Sequence, residues 1–156
     1  MNVLMDADCL IKLTKAGLKE AVCTYLSVVI PQVVKHEVID LGKDHPDSKV
    51  IKDNLAKRLL SVSGLKTQGP KGEESVLAVF QNGGFDAICS DDKRFIRRLR
   101  ANDVPYVTPA VCIVLLLEQG EINISDAAEK LESLRPFISS DEYNAVKWVL
   151  DTWRSP

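Results

Sequence analysis

Asn2-Val3-Leu4-Met5-Asp6-Ala7-Asp8-Cys9-Leu10-Ile11-Lys12-Leu13 is the stretch whose reading decides the fold. The short apolar run up to Met5 reads as a buried strand of the parallel type, apolar on both faces. Asp8 can then cap a helix that carries Leu10, Ile11 and Leu13 to about Ala16, with Gly17 as its stop. The same alternation continues along the chain. A helix is expected over about 18–25, a strand over Ser27–Ile30, and a helix opened by Pro31 and running to about Leu41. Residues 46–60 read as a helix with Val50, Ile51, Leu55 and Leu59 as its apolar face. Residues 61–71 are loop-like, with Gly64, Gly69 and Pro70, and Leu60–Leu65 could form a short edge strand. A helix from Glu73 to Gly83-Gly84, a strand over Asp86–Ser90, a helix over Asp92–Asn102 and a strand over Val104–Val107 follow. Three helices, at about 109–119, 125–134 and 140–153, complete the chain. Short apolar strands alternating with helices imply an α/β fold of three layers: a central parallel sheet of four to five strands with helices on both faces.

A chain of 156 residues is expected to form one domain, 1–156. A fold of that size buries about 68–70% of its extended-chain surface. Apolar residues at 46% and charged residues at 27% are globular composition, not that of a disordered chain. The net charge of −2 supplies no global basic field for nucleic acid, so any such binding needs a local patch or a bound cation. The four cysteines, Cys9, Cys23, Cys89 and Cys112, form no C-x-x-C pair and share no ligand spacing with His36 or His45. A zinc site is not expected, and the thiols read as buried and reduced. Asp6 and Asp8 interrupt what a signal peptide would need to be apolar. The longest apolar run, Ala110–Leu117, is far too short to span a bilayer and reads as core. No membrane association is expected, and the expected location is the cytoplasm.

In open parallel sheets ligands bind beyond the carboxyl ends of the strands. The residues there are acidic: Asp6 and Asp8 after the first strand, Asp91 and Asp92 after the strand at 86–90. Glu37, near the start of the helix after the second strand, lies three and four residues beyond Val34 and Val33 and so falls on or beside the apolar stripe. Glu73 shares a face with Val76, Leu77 and Phe80. Taken singly, Asp8, Asp91 or Asp92 could do no more than cap a helix, and Glu73 or Glu74 could serve the helix dipole. Taken together, four segments aim carboxylates at one place, with no His, Cys or Arg beside them in the motifs. Carboxylates so grouped repel unless a cation neutralises them, and oxygen-only ligation favours Mg²⁺ or Mn²⁺. Such a site suits phosphodiester hydrolysis. Arg94, Arg97 and Arg98 share a solvent-facing sector opposite Phe95, Ile96 and Leu99: a solvated face, or one that tracks a phosphate backbone. Trp148 and Trp153 are expected to pack on the body.

On these residues the chain resembles a PIN domain, the nuclease module of VapC-type toxins and of several RNA-processing factors. The segment Val3–Leu13 resembles that family's first strand and helix, and Val28–Val38 its second strand and the helix carrying a second acid. Gly72-Glu73-Glu74 resembles a Gly-Glu helix start of one archaeal and bacterial branch, and Asp86–Phe95 the strand that ends in Thr-x-Asp or Thr-Asp-Asp. The resemblance spans about 1–110 as the core, with the helices of about 109–153 compatible with it. It implies a PIN-like fold and a metal-dependent endoribonuclease acting on RNA, with Asp6, Glu37, Glu73, Asp91 and Asp92 as metal ligands for Mg²⁺ or Mn²⁺. Asp6, Glu37, Glu73 and Asp92 are the implied catalytic set. Glu74 fits the third position by count about as well as Glu73, and Asp91 stands as helper to Asp92. Pro70 occupies a position where that branch often has an Asp. Ser90 replaces the usual Thr and can hold a water or a phosphate oxygen, and Asp8 can join the site through a water. A toxin of this kind would have an antitoxin partner and could form a homodimer. Two other classes compete. One is a PIN-like module kept for binding or scaffolding without turnover. The other is a receiver-type domain, for which no lysine after a later strand is in place.

Overall fold

A computed structural model describes residues 1–36, 46–63 and 73–154. Five strands form one parallel sheet in the order β3-β2-β1-β4-β5. They are β1 Asn2–Met5, β2 Ser27–Ile30, β3 Leu60–Val62, β4 Ala87–Cys89 and β5 Tyr106–Val107. The helices among the described residues are α1 Ala7–Lys15, α2 Lys19–Tyr25, α3 Gln32–Lys35, α4 Pro46–Ala56, α5 Glu73–Gln81, α6 Lys93–Ala101, α7 Pro109–Glu118, α8 Ile124–Leu134 and α9 Ser140–Asp151. The expected three-layer α/β architecture is therefore present.

The chain winds outward from β1 to β2 to β3, then returns to place β4 on the other side of β1. Right-handed crossovers consequently put α1, α2 and α4 on one face and α5 and α6 on the other. The order reverses between β1 and β4, which is where an open sheet keeps its site. Val3, Leu4, Met5, Ile88 and Cys89 are fully buried, as expected of central strands covered on both faces. Helix α7 contributes Ala110, Cys112, Ile113 and Leu116 to the same core, so the Ala110–Leu117 run is core as its sequence implied.

Several expected boundaries move, each for a local reason. Asp6, not Asp8, is the N-cap of α1: its backbone is extended and its carboxylate accepts from the Cys9 N–H at 2.8 Å. Pro31 precedes the third helix as its N-cap instead of opening it, and the expected extension of that helix to Leu41 lies outside the described residues. Helix α4 stops at Ala56 because Arg58 adopts the left-handed conformation (φ 57°) and turns the chain into β3. Its buried face is also more polar than expected. Asn54 and Ser48 are buried with Ile51, whereas Val50 is exposed. Under this helix the buried Lys19 ammonium donates to the Val50 carbonyl at 3.0 Å. Strand β5 has two residues, since Pro105 offers its carbonyl to Ile88 but has no N–H to give. Trp148 is 68% exposed, contrary to the expectation that it packs on the body; Trp153, beyond the end of α9, does pack against the core.

Candidate functional site

The sheet's reversal point is lined by acids. A cleft of about 340 Å³ is bounded by Asp6, Asp8, Glu73, Ser90, Asp91 and Asp92, with Val34 and Val76 as its apolar wall. The acids reach it from three places: Asp6 and Asp8 from the β1–α1 junction, Glu73 from the start of α5, and Asp91 and Asp92 from the β4–α6 junction. Asp6 follows β1, and its N–H donates to the Cys89 carbonyl at 3.2 Å, which ties the ends of β1 and β4 together. Ser90 is fully buried, donates its N–H to the Val107 carbonyl, and accepts the Asp92 N–H on its hydroxyl at 3.3 Å.

The described acids differ in how they are held. Burial pushes the Asp6 carboxyl up from its ordinary value; hydrogen bonds from the Ser90 side chain and from Cys9 offset part of this, and the charge of Asp91 adds to it. Asp91 is 11% exposed and accepts the Lys12 ammonium at 2.6 Å. The same ammonium lies 2.6 Å from Asp8, which is well exposed at i,i+4 on α1. The Cys9 sulfur stands 3.9 Å from the other Asp91 oxygen. Asp92 caps α6, accepting the Arg94 and Phe95 N–H groups on one oxygen at 2.8 Å each. Glu73 lines the cleft from the first turn of α5 but is exposed, not turned inward with Val76 and Leu77. Glu74 points away, toward Arg98 on α6 at 3.6 Å. Glu37 lies outside the described residues.

Two residues that the sequence reading left out sit inside this cluster. Lys12 is one turn beyond Asp8, and its i,i+4 spacing to that acid was the available signal. Cys9 is the other, and it is no nucleophile: burial and the two neighbouring acids push its thiol well up, so it stays protonated. Glu142, on α9, approaches from behind. Its carboxylate accepts the Ala110 N–H at 2.9 Å, with the Thr108 hydroxyl facing it, and burial raises it from its ordinary value. No local pattern in the sequence announced that contact, which spans 32 residues.

Chemically, the lining offers oxygen donors only, which suits a hard divalent cation. The Asp6 carboxyl is half-buried, and desolvation and Asp91 disfavour its charge; such a cation would stabilise it. Among the described residues, however, no three acids, histidines or cysteines stand close enough together to hold a metal ion by themselves. Lys12 and the helix N-terminus of α6 already take up part of the carboxylate charge. The oxygen donors of the lining fit a hard divalent cation such as Mg²⁺ or Mn²⁺. Among the described residues no helix is long and apolar enough to cross a membrane.

No curated protein matches the chain. The family model DUF3368, described as a PIN domain, matches residues 2–151; with the parallel sheet and the acids at its reversal point, the chain belongs to the PIN-domain family.

Proposed function

We propose that residues 1–156 act as one PIN-like domain and as a metal-dependent endoribonuclease of the cytoplasm. PIN domains are a nuclease-type fold, generally use divalent metal ions and act on RNA. The observation that carries the reading is Asp6: a half-buried carboxylate at the strand-order reversal, held by hydrogen bonds and beside a second acid. In this reading Asp6, Glu37, Glu73, Asp91 and Asp92 hold Mg²⁺ or Mn²⁺. The bound ion would activate water and stabilise charge on the phosphate. Ser90 orients Asp6 through its side-chain hydrogen bond and accepts the Asp92 N–H, so it positions the acids from β4. Asp92 sets the start of α6 and so aims that basic helix beside the cleft. Asp91 is the inner acid, close enough to Asp6 to raise it; Asp92 is the outer, capping acid. The partners are RNA and, for the toxin half of a toxin–antitoxin pair, an antitoxin protein and a second copy of the chain.

One observation favours a second reading, a catalytically silent PIN-like binding module. Lys12 already neutralises Asp91, as a protein without a metal would require. Cleavage of a generic single-stranded RNA in Mg²⁺ or Mn²⁺, and in EDTA, separates the two. The nuclease reading expects metal-dependent cleavage that Asp6→Asn abolishes. Inert wild type that also fails to bind Mn²⁺ in a titration would leave the binding module.

A further inference from the structure

A second concavity opens beside the acidic cleft, along the β5 edge of the sheet. It measures about 690 Å³ and is bounded by α6, β5, the start of α7 and α9. Its floor is apolar, with Ile96, Val111 and Val146. Its α6 wall carries Lys93, Arg97 and Arg100 at helical spacing. The Arg100 guanidinium lies over the Tyr106 ring at 5.3 Å and also donates to its hydroxyl. Lys93 pairs with Asp141 across the groove at 2.9 Å, but both are largely exposed, so the pair is worth little and can be exchanged.

Two further observations point to what fills this groove. Trp148 stands three residues beyond Ala145 and seven beyond Asp141, both of which line the groove, so it shares their face of α9. Its large exposed indole is unusual for a residue with nothing to cover it. The groove adjoins the acidic cleft at the start of α6, where Asp92 lines the cleft and the next residue, Lys93, lines the groove. Cations on one wall, Tyr106 in the lining and an exposed Trp148 farther along α9 are groups that a single nucleic-acid strand can use, phosphates on the guanidinium groups and bases on the rings. A duplex would not present its bases to Tyr106 or Trp148.

We infer that this groove is a single-stranded RNA subsite, with Arg97 and Arg100 holding phosphates and Tyr106 and Trp148 stacking bases on one side of the acidic cleft. The inference rests on the ribonuclease reading for its substrate, but it can fail by itself. The test is fluorescence anisotropy with a labelled single-stranded RNA of about 12 nucleotides, within the range such grooves span. It is run in EDTA, so that neither metal nor cleavage enters. Arg97→Ala with Arg100→Ala should weaken binding at least about tenfold and lower the salt slope by about 1.4, two phosphate contacts on a single strand. Trp148→Ala should weaken binding about fivefold or more, as lost stacking does, with the salt slope unchanged. Trp148→Phe should restore most of it. The substituted side chains are on the surface, and an unchanged thermal midpoint confirms that the variants are folded. RNA bound equally by wild type and all variants overturns the groove, while metal-dependent cleavage in the same preparations would keep the ribonuclease reading. Absence of both RNA binding and cleavage removes both. Displacement of the RNA by poly-glutamate at lower concentration than by unlabelled RNA, lost in the arginine variant, overturns the inference in favour of an acidic protein partner.

Discussion

Replacing Lys12 by Met tests how the acidic cleft is held together. The Lys12 ammonium is 20% exposed and sits 2.6 Å from one oxygen each of Asp8 and Asp91. The pair with Asp8 is an exposed i,i+4 contact, worth about 0.3–0.5 kcal/mol. The pair with Asp91 is different, because that carboxylate is only 11% exposed and loses its cation altogether. Removing one partner of a buried pair costs about 3–5 kcal/mol, and of a surface pair less than about 1. Partial burial on both sides places this one near 2 kcal/mol. Lys12→Met keeps the aliphatic stem, so the loss should be electrostatic, about 2.5 kcal/mol in all. For a chain of this length that lowers the thermal midpoint by about 5–10 °C. Calorimetry of the single variant, of Asp91→Asn and of the double variant reads the coupling directly, expected at about 2 kcal/mol. Mn²⁺ should recover more stability in Lys12→Met than in wild type, because Asp91 then has no competing cation. A fall of less than about 2 °C, with no coupling to Asp91, would refute the reasoning.

Three other outcomes follow from the same geometry. Asp6→Asn keeps the cap oxygen that accepts the Cys9 N–H and removes a charge that burial disfavours, so in metal-free buffer at neutral pH it should raise the midpoint, by about 2–4 °C for 1 kcal/mol. The sign of its pH dependence is set by the raised folded pKa: between the ordinary 3.8 and the raised value the folded state alone holds the proton, so wild-type stability falls with rising pH there, and the variant's advantage should vanish below that window. Asp92→Ala should cost about 1 kcal/mol in urea unfolding through the lost cap of α6, whereas Asp92→Asn should cost a few tenths. All four cysteines are buried and free, and burial and coulombic repulsion from the neighbouring acids push Cys9 well up while burial raises Cys23 to about 12. A disulfide reagent at neutral pH should therefore react with almost none of them until guanidinium exposes all four.

The sheet was legible because its central strands are buried on both faces. Val3–Met5 and Ala87–Cys89 are unbroken apolar runs, and each ends in an acid or a serine where the chain leaves the core. The placement of acids at one end followed from the parallel topology alone. What the sequence did not show is what each acid touches. Cap assignment failed at Asp6 because strand end and helix start share that residue, so one carboxylate does two jobs. The roles of Glu73 and Glu74 differ only in helical phase: one lines the cleft and its neighbour reaches Arg98. Lys12 was not singled out in the sequence, because only the approach of β4 brings Asp91 to it. Asn54 and Lys19 were invisible for a related reason, since a buried polar pair has no periodic signature. Trp148 reversed the expectation because aromatic content says that a residue can be buried, not that a surface exists to bury it.

Asp6 and Asp92 each begin a helix as well as facing the cleft. Asparagine serves a helix start about as well as aspartate. A single-base change in either codon could therefore strip the charge from the cleft while leaving the architecture untouched, and at Asp6 would even firm it. Loss of chemistry and loss of folding are thus uncoupled in this chain. On the nuclease reading, a lineage could shed the reaction in one step and keep a well-formed cleft and groove for other use, so an intact fold in a relative would say nothing about whether that relative cuts.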